Sequence, residues 1–93
     1  MKWEDETSYS RNEPYSERKP RSWSLELTRH FVLWVGSDHI DYKGQWVAHC
    51  EPFFRCLVLN MPAEKFTAEQ AQAAALKLVR KEVEKVNAAL AAA

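Results

Sequence analysis

The stretch HFVLWVGSDHIDYKGQWVAHC, residues 30–50, carries two tryptophans, three histidines and a cysteine in one run and decides how the chain folds. Its first part, HFVLWVG, is β-branched and aromatic and stops at Gly36, which reads as a strand. DHIDY, then Lys43-Gly44, then QWVAHC reads as a hairpin on a two-residue turn. With two-residue turns at Gly36-Ser37 and at Lys43-Gly44, the register follows by counting. Val35 then faces Asp38, Leu33 faces Ile40 and Phe31 faces Tyr42; on the second hairpin Ile40 faces Val47 and Asp38 faces His49. Phe31, Leu33, Val35, Ile40, Tyr42 and Val47 share one apolar face, with Asp38 and His49 at its end. That face is the expected core. The opposite face holds Val32, Trp34, His39, Asp41, Trp46, Ala48 and Cys50. One extra residue in the loop after Gly36 would exchange the faces.

On either side the pattern is simpler. WSLEL (23–27) alternates with period two and RCLVLN (55–60) is a short apolar strand stopped by Pro62. Either Leu57 and Leu59 or Cys56 and Val58 complete the core, and at least one of Phe53 and Phe54 should lie under the helix start near Phe66. From Thr67 the period changes. TAEQ is a Thr-x-x-Gln capping box, and AQAAALKLVRKEVEKVNAALAAA is rich in strong helix formers. Leu76, Val79, Val83, Val86 and Leu90 recur at 3, 4, 3, 4, widened by Ala75, Leu78 and Ala89. Two heptads also fit a coiled coil, but a helix laid on a sheet is the expectation. The fold class is therefore α+β: an antiparallel β-meander of four to five strands with one long C-terminal α-helix packed on one face.

The chain of 93 residues is one domain, residues 23–93, preceded by a flexible polar N-terminal arm, residues 1–22. The arm carries five acids, five bases, Pro14 and Pro20 and has no apolar period. Trp3, Tyr9 and Tyr15 could let it dock on its own domain or on a partner. The start is too polar for a signal peptide, and no apolar run approaches a membrane span. Cys50 and Cys56 do not make a secreted disulfide framework, so a reducing cytoplasm is the expected setting.

Chemistry-bearing residues are few. His39, His49, Cys50 and Cys56 are acceptable zinc ligands, but without C-x-x-C or H-x-x-x-H spacing no metal is expected. Asp38 opposite His49 resembles an orienter and base, yet Cys50 next to His49 in a strand points the other way. Gly36 and Gly44 are the only glycines, so no phosphate loop exists. The expectation is a chain that is not an enzyme and takes no cofactor. Formal net charge is zero, which demotes nucleic acid. A sheet face that could stack bases has only Arg29, Lys43 and Arg55 nearby, and Lys77, Arg80, Lys81 and Lys85 of the helix are interleaved with Glu82 and Glu84.

What remains is the two-tryptophan face. Exposed aromatic patches of that kind mark contact surfaces. Trp34, Trp46, His39, Asp41 and Val32 are the expected partner-binding residues of a non-enzymatic protein-binding module. The alternatives are a single-stranded nucleic-acid binder using the same face and a structural homodimer through that face or an edge strand. The charged arm, the compact sheet WSLELTRHFVLWVGSDHIDYKGQWVAHC and the closing helix FTAEQAQAAALKLVRKEV resemble, in layout, small accessory proteins encoded by bacteriophages and prophages. That resemblance implies a stoichiometric binder, such as an inhibitor or modulator of a host or defence complex. It assigns no residue a role.

Overall fold

The computed structural model describes residues 2–7 and 19–93. Five strands, β1 (Glu4–Asp5), β2 (Ser22–Thr28), β3 (Phe31–Gly36), β4 (Gln45–Cys50) and β5 (Phe54–Pro62), form one sheet in the order β1-β2-β3-β4-β5. Every neighbouring pair is antiparallel. The one helix among the described residues, α1 (Ala68–Ala92), packs on one face. The α+β meander expected from the pattern is the observed fold. No helix among the described residues is long and apolar enough to cross a membrane.

One expected strand is replaced. Residues 38–42 are a loop, and β3 pairs directly with β4, Trp34 opposite His49 and Val35 opposite Ala48. Local bonds hold the loop: the amide of Asp41 donates to His39 Nδ1 at 3.2 Å, that of Tyr42 to the His39 carbonyl at 3.1 Å and that of Gln45 to the Tyr42 carbonyl at 3.1 Å. Such side-chain and turn bonds compete with a sheet ladder for the same amides. Gly44 closes the loop at φ 81°, a left-handed conformation that glycine adopts without steric cost. Ile40, expected in the core, is 81% exposed and Tyr42 is exposed as well.

The fifth strand comes instead from the chain start. Residues Glu4–Asp5 pair with β2, Thr7 Oγ1 accepts from the amides of Arg21 (2.7 Å) and Ser22 (3.1 Å), and Trp3 packs against the core. Of the expected arm, Glu4–Asp5 and Ser22 are thus strand residues, with Thr7 tied to Arg21 and Ser22; residues 1 and 8–18, with Tyr9 and Tyr15, lie outside the described residues.

The direct pairing flips β4 relative to the counted register. Leu33 and Val35 share the helix-facing side with Trp46, Ala48 and Cys50, and all five are buried against Ala71, Ala75 and Val79 of α1. Val47 and His49 point to the opposite side. The alanines let the helix approach the sheet closely. Trp46, 5% exposed, donates its indole N–H to the Phe66 carbonyl at 3.0 Å and tilts against Trp23 at 6.0 Å between ring centroids. This fixes the chain just before the helix. The capping box then forms as expected: Gln70 N–H donates to Thr67 Oγ1 at 3.2 Å, and Thr67 N–H to Gln70 Oε1 at 2.9 Å. Phe53 and Phe54 both pack against the core, and Phe53 stacks on Phe31. In β5, Leu59 joins the core while Leu57, in register with Ala48, is exposed, and pairing is irregular on either side of them, with positive φ at Cys56 (44°) and Asn60 (57°).

The helix outruns the sheet. Its last buried residue is Val79, and Val83, Val86 and Leu90 are exposed. A helix of this length spans about 37 Å at the usual rise. The molecule measures 55 × 27 × 21 Å, so the helix is longer than either short extent.

Candidate functional site

On the sheet side away from the helix, period two places Ser22, Ser24, Glu26, Val32, Trp34, Gly36, Val47 and His49 together. Trp34 is flanked in register by Ser24 and His49, and Val32 is opposite Glu26. The indole of Trp34 turns along its own strand toward Gly36. A Cβ on Gly36 would meet Trp34 Cζ2 at 2.5 Å and Cη2 at 2.6 Å, so only glycine leaves room for the ring. Val47, paired with Gly36, is fully buried even though no described element packs over this side. Beside Val32, which is 45% exposed, a groove of about 460 Å³ is lined by Lys2, Glu4, Glu6, Ser24 and Glu26. Ser24 Oγ donates to Glu6 Oε1 at 2.7 Å. The result is a small apolar platform beside three carboxylates and one ammonium.

The five residues expected to form one contact face are not together. Val32 and Trp34 share the outer side. Trp46 lies in the core beneath the helix, on the other side of the sheet, because the loop of residues 37–44 replaces a two-residue turn and changes the parity of β4. His39 and Asp41 belong to that loop, where the His39 ring sits 5.2 Å from that of Tyr42. Likewise Asp38 does not meet His49. It lies 3.9 Å from Arg21, and His49 turns to Glu51. Ala48 and Cys50, expected beside Trp34, are core residues, and burial raises the Cys50 thiol pKa.

One arrangement was not legible in the pattern. Cys56 Sγ is 3.9 Å from His49 Nδ1, and His49 Nε2 is 3.7 Å from Glu51 Oε1. Thiol, imidazole and carboxylate stand in the order of a nucleophile, base and orienter. The details point elsewhere. His49 Nδ1 accepts the backbone N–H of Cys56 at 3.3 Å, and Glu51 Oε1 is bound by Arg55 Nε at 2.8 Å. The imidazole nitrogen facing the thiol is therefore engaged in holding the irregular backbone at Cys56. The carboxylate is shared with a guanidinium. The cluster works as a brace across the β4–β5 pairing. It forms because the β5 irregularity swings Cys56 out of strand alternation, which residue spacing does not encode. Among the described residues no group of three His, Cys, Asp or Glu side chains could hold a metal ion.

Comparison of the chain with protein-family models, with curated proteins and with solved structures finds no match.

Proposed function

We propose that this chain is a small non-enzymatic protein-binding module whose contact face is the outer side of the sheet around Val32 and Trp34. The observation that carries the reading is the half-exposed platform itself: Val32 and a tryptophan whose ring reaches over Gly36, beside Glu4, Glu6, Glu26 and Lys2. An aromatic anchor surrounded by a polar rim is a usual composition of an interface. The rim is acidic, so the partner is a protein segment that offers Lys or Arg around an apolar side chain. In the setting that the layout resemblance implies, such a module acts stoichiometrically, as an inhibitor or modulator of a larger complex.

The rival from another class is a single-stranded nucleic-acid binder stacking bases on Trp34. That design needs cations beside the aromatic ring. Beside Val32 three glutamates outweigh the one ammonium of Lys2 and oppose a phosphate backbone. The test captures partners from lysate with the wild type beside Val32→Glu/Trp34→Ser and Glu26→Lys variants, each checked by circular dichroism. A basic protein held by the wild type and lost by both folded variants supports the reading. Tight binding of a fluorescent single-stranded oligonucleotide that weakens steeply with salt would overturn it.

A further inference from the structure

The second surface that no described element covers is the distal half of α1. Ala71, Ala75 and Val79 face the sheet, and the same side of the helix continues as Val83, Val86 and Leu90 with no sheet beneath it. Val86 is 45% and Leu90 68% exposed. About 20 Å of helix extends past Val79 at the usual rise. The spacing of Leu76, Val79, Val83, Val86 and Leu90 is the 3-4 alternation of a two-helix seam. A groove of about 400 Å³ runs beside it, walled by Leu27, Leu76, Val79 and Val83, with Arg80 and Glu84 at the rim.

We infer that this stripe is the interface of a homodimer, in which the free half of α1 from each copy lies antiparallel in the groove of the other. Both halves of the fit are present in one chain. The apolar knobs are at the distal end of the helix, and the groove that takes them is at its middle. The arrangement is isologous, the type that closes with two copies. With Val83 of one copy against Val86 of the second, Val79 meets Leu90 of the second. The flanking positions then bring Arg80 near Asn87 and Glu82 near Ala89, so no like charges meet. A parallel pairing fits less well. It would set both sheets, each packed on the stripe side of its own helix at Ala71, Ala75 and Val79, at the same end of the seam and facing one another. The antiparallel arrangement sets the two sheets at opposite ends and lets the exposed Val83, Val86 and Leu90 of each copy be covered by the other, with Leu90 reaching the groove beside Val79.

The sheet edges are poorer routes to a dimer. At one edge β1 has two residues. At the other, β5 is broken by positive φ at Cys56 and Asn60 and ends at Pro62, features that blunt an edge against pairing. The seam leaves the Val32–Trp34 side free, so a dimer would present that face twice and gain from a partner with repeated sites.

The mass of the full chain in solution tests this, measured by light scattering and sedimentation over a broad dilution series. The expected mass is twice 10.8 kDa, falling to one chain on dilution. Val83→Glu/Val86→Glu, both exposed positions, should raise the dimer dissociation constant at least about 100-fold. Its aromatic circular dichroism should match that of the diluted wild type, since the sheet core is untouched. Orientation is read with Leu90→Cys in a Cys56→Ser background. Antiparallel packing holds the two position-90 thiols about 16 Å apart, too far to bridge. A single-chain mass for the wild type at every concentration overturns the inference, as does a dimer that survives the double glutamate change. A disulfide between the two position-90 thiols overturns the antiparallel arrangement.

Discussion

Trp46→Phe isolates the bond that docks the helix on the sheet. The indole N–H donates to the Phe66 carbonyl at 3.0 Å, one residue before the Thr67 cap, and the ring is 5% exposed. Phenylalanine keeps most of the apolar volume and removes the donor, leaving the carbonyl without its partner. The lost bond and the smaller ring together cost about 2–3 kcal/mol. A chain of this length has a total stability of roughly 5–14 kcal/mol, so the change takes a substantial fraction. Urea denaturation followed by far-ultraviolet circular dichroism measures it. With a slope of about 1 kcal/mol per molar urea, the midpoint should fall by roughly 2 M. Trp46→Ala should lose more, about 3–5 kcal/mol, by leaving a cavity against Trp23 and the helix. Trp34→Ala, on the outer side, should lose less than either. A Trp46→Phe loss under about 0.5 kcal/mol, below the usual value of one buried hydrogen bond, would refute the docking argument. A Trp34→Ala loss larger than that of Trp46→Ala would show that the two faces are assigned the wrong way round.

Gly36→Ala should displace the Trp34 indole, because the added Cβ falls 2.5 Å from Cζ2; a cost of about 1–3 kcal/mol is expected and should shrink in a Trp34→Ala background. Thr67→Ala removes one half of the capping box and should cost about 1 kcal/mol, read from the thermal midpoint. Iodoacetamide under native conditions should label Cys56, which is exposed, and spare Cys50, which is fully buried; mass spectrometry should find both labelled in urea. Burial raises the Cys50 thiol pKa, so the folded state holds that proton more tightly than the unfolded one. Its contribution to stability is therefore complete below the ordinary thiol pKa and is lost as pH rises through the folded value, and a Cys50→Ala chain should show a flatter decline at alkaline pH.

Local chemistry accounts for what was readable in the sequence. The β-branched and aromatic runs became β2 to β5 with ends close to those expected, and the Thr67–Gln70 box started the helix where its spacing said it would. Each of these depends on residues a few positions apart. The heptad stripe of α1 was equally plain, but spacing alone could not say what covers it. That depended on the reach of the sheet, which ends under Val79 and leaves Val83, Val86 and Leu90 bare. The contact face was lost at a single loop. Hydrogen bonds of His39 and Tyr42 withdrew residues 38–42 from the sheet, and the direct β3–β4 pairing reversed every side chain of β4. Strand periodicity specifies which residues share a side within one strand. Which sides of two strands agree is a property of their pairing. The edge strand at Glu4–Asp5 and the burial of Trp46 follow from pairing of this kind, and the brace of His49, Glu51 and Cys56 from the irregular backbone of β5, so only the tertiary structure could decide them.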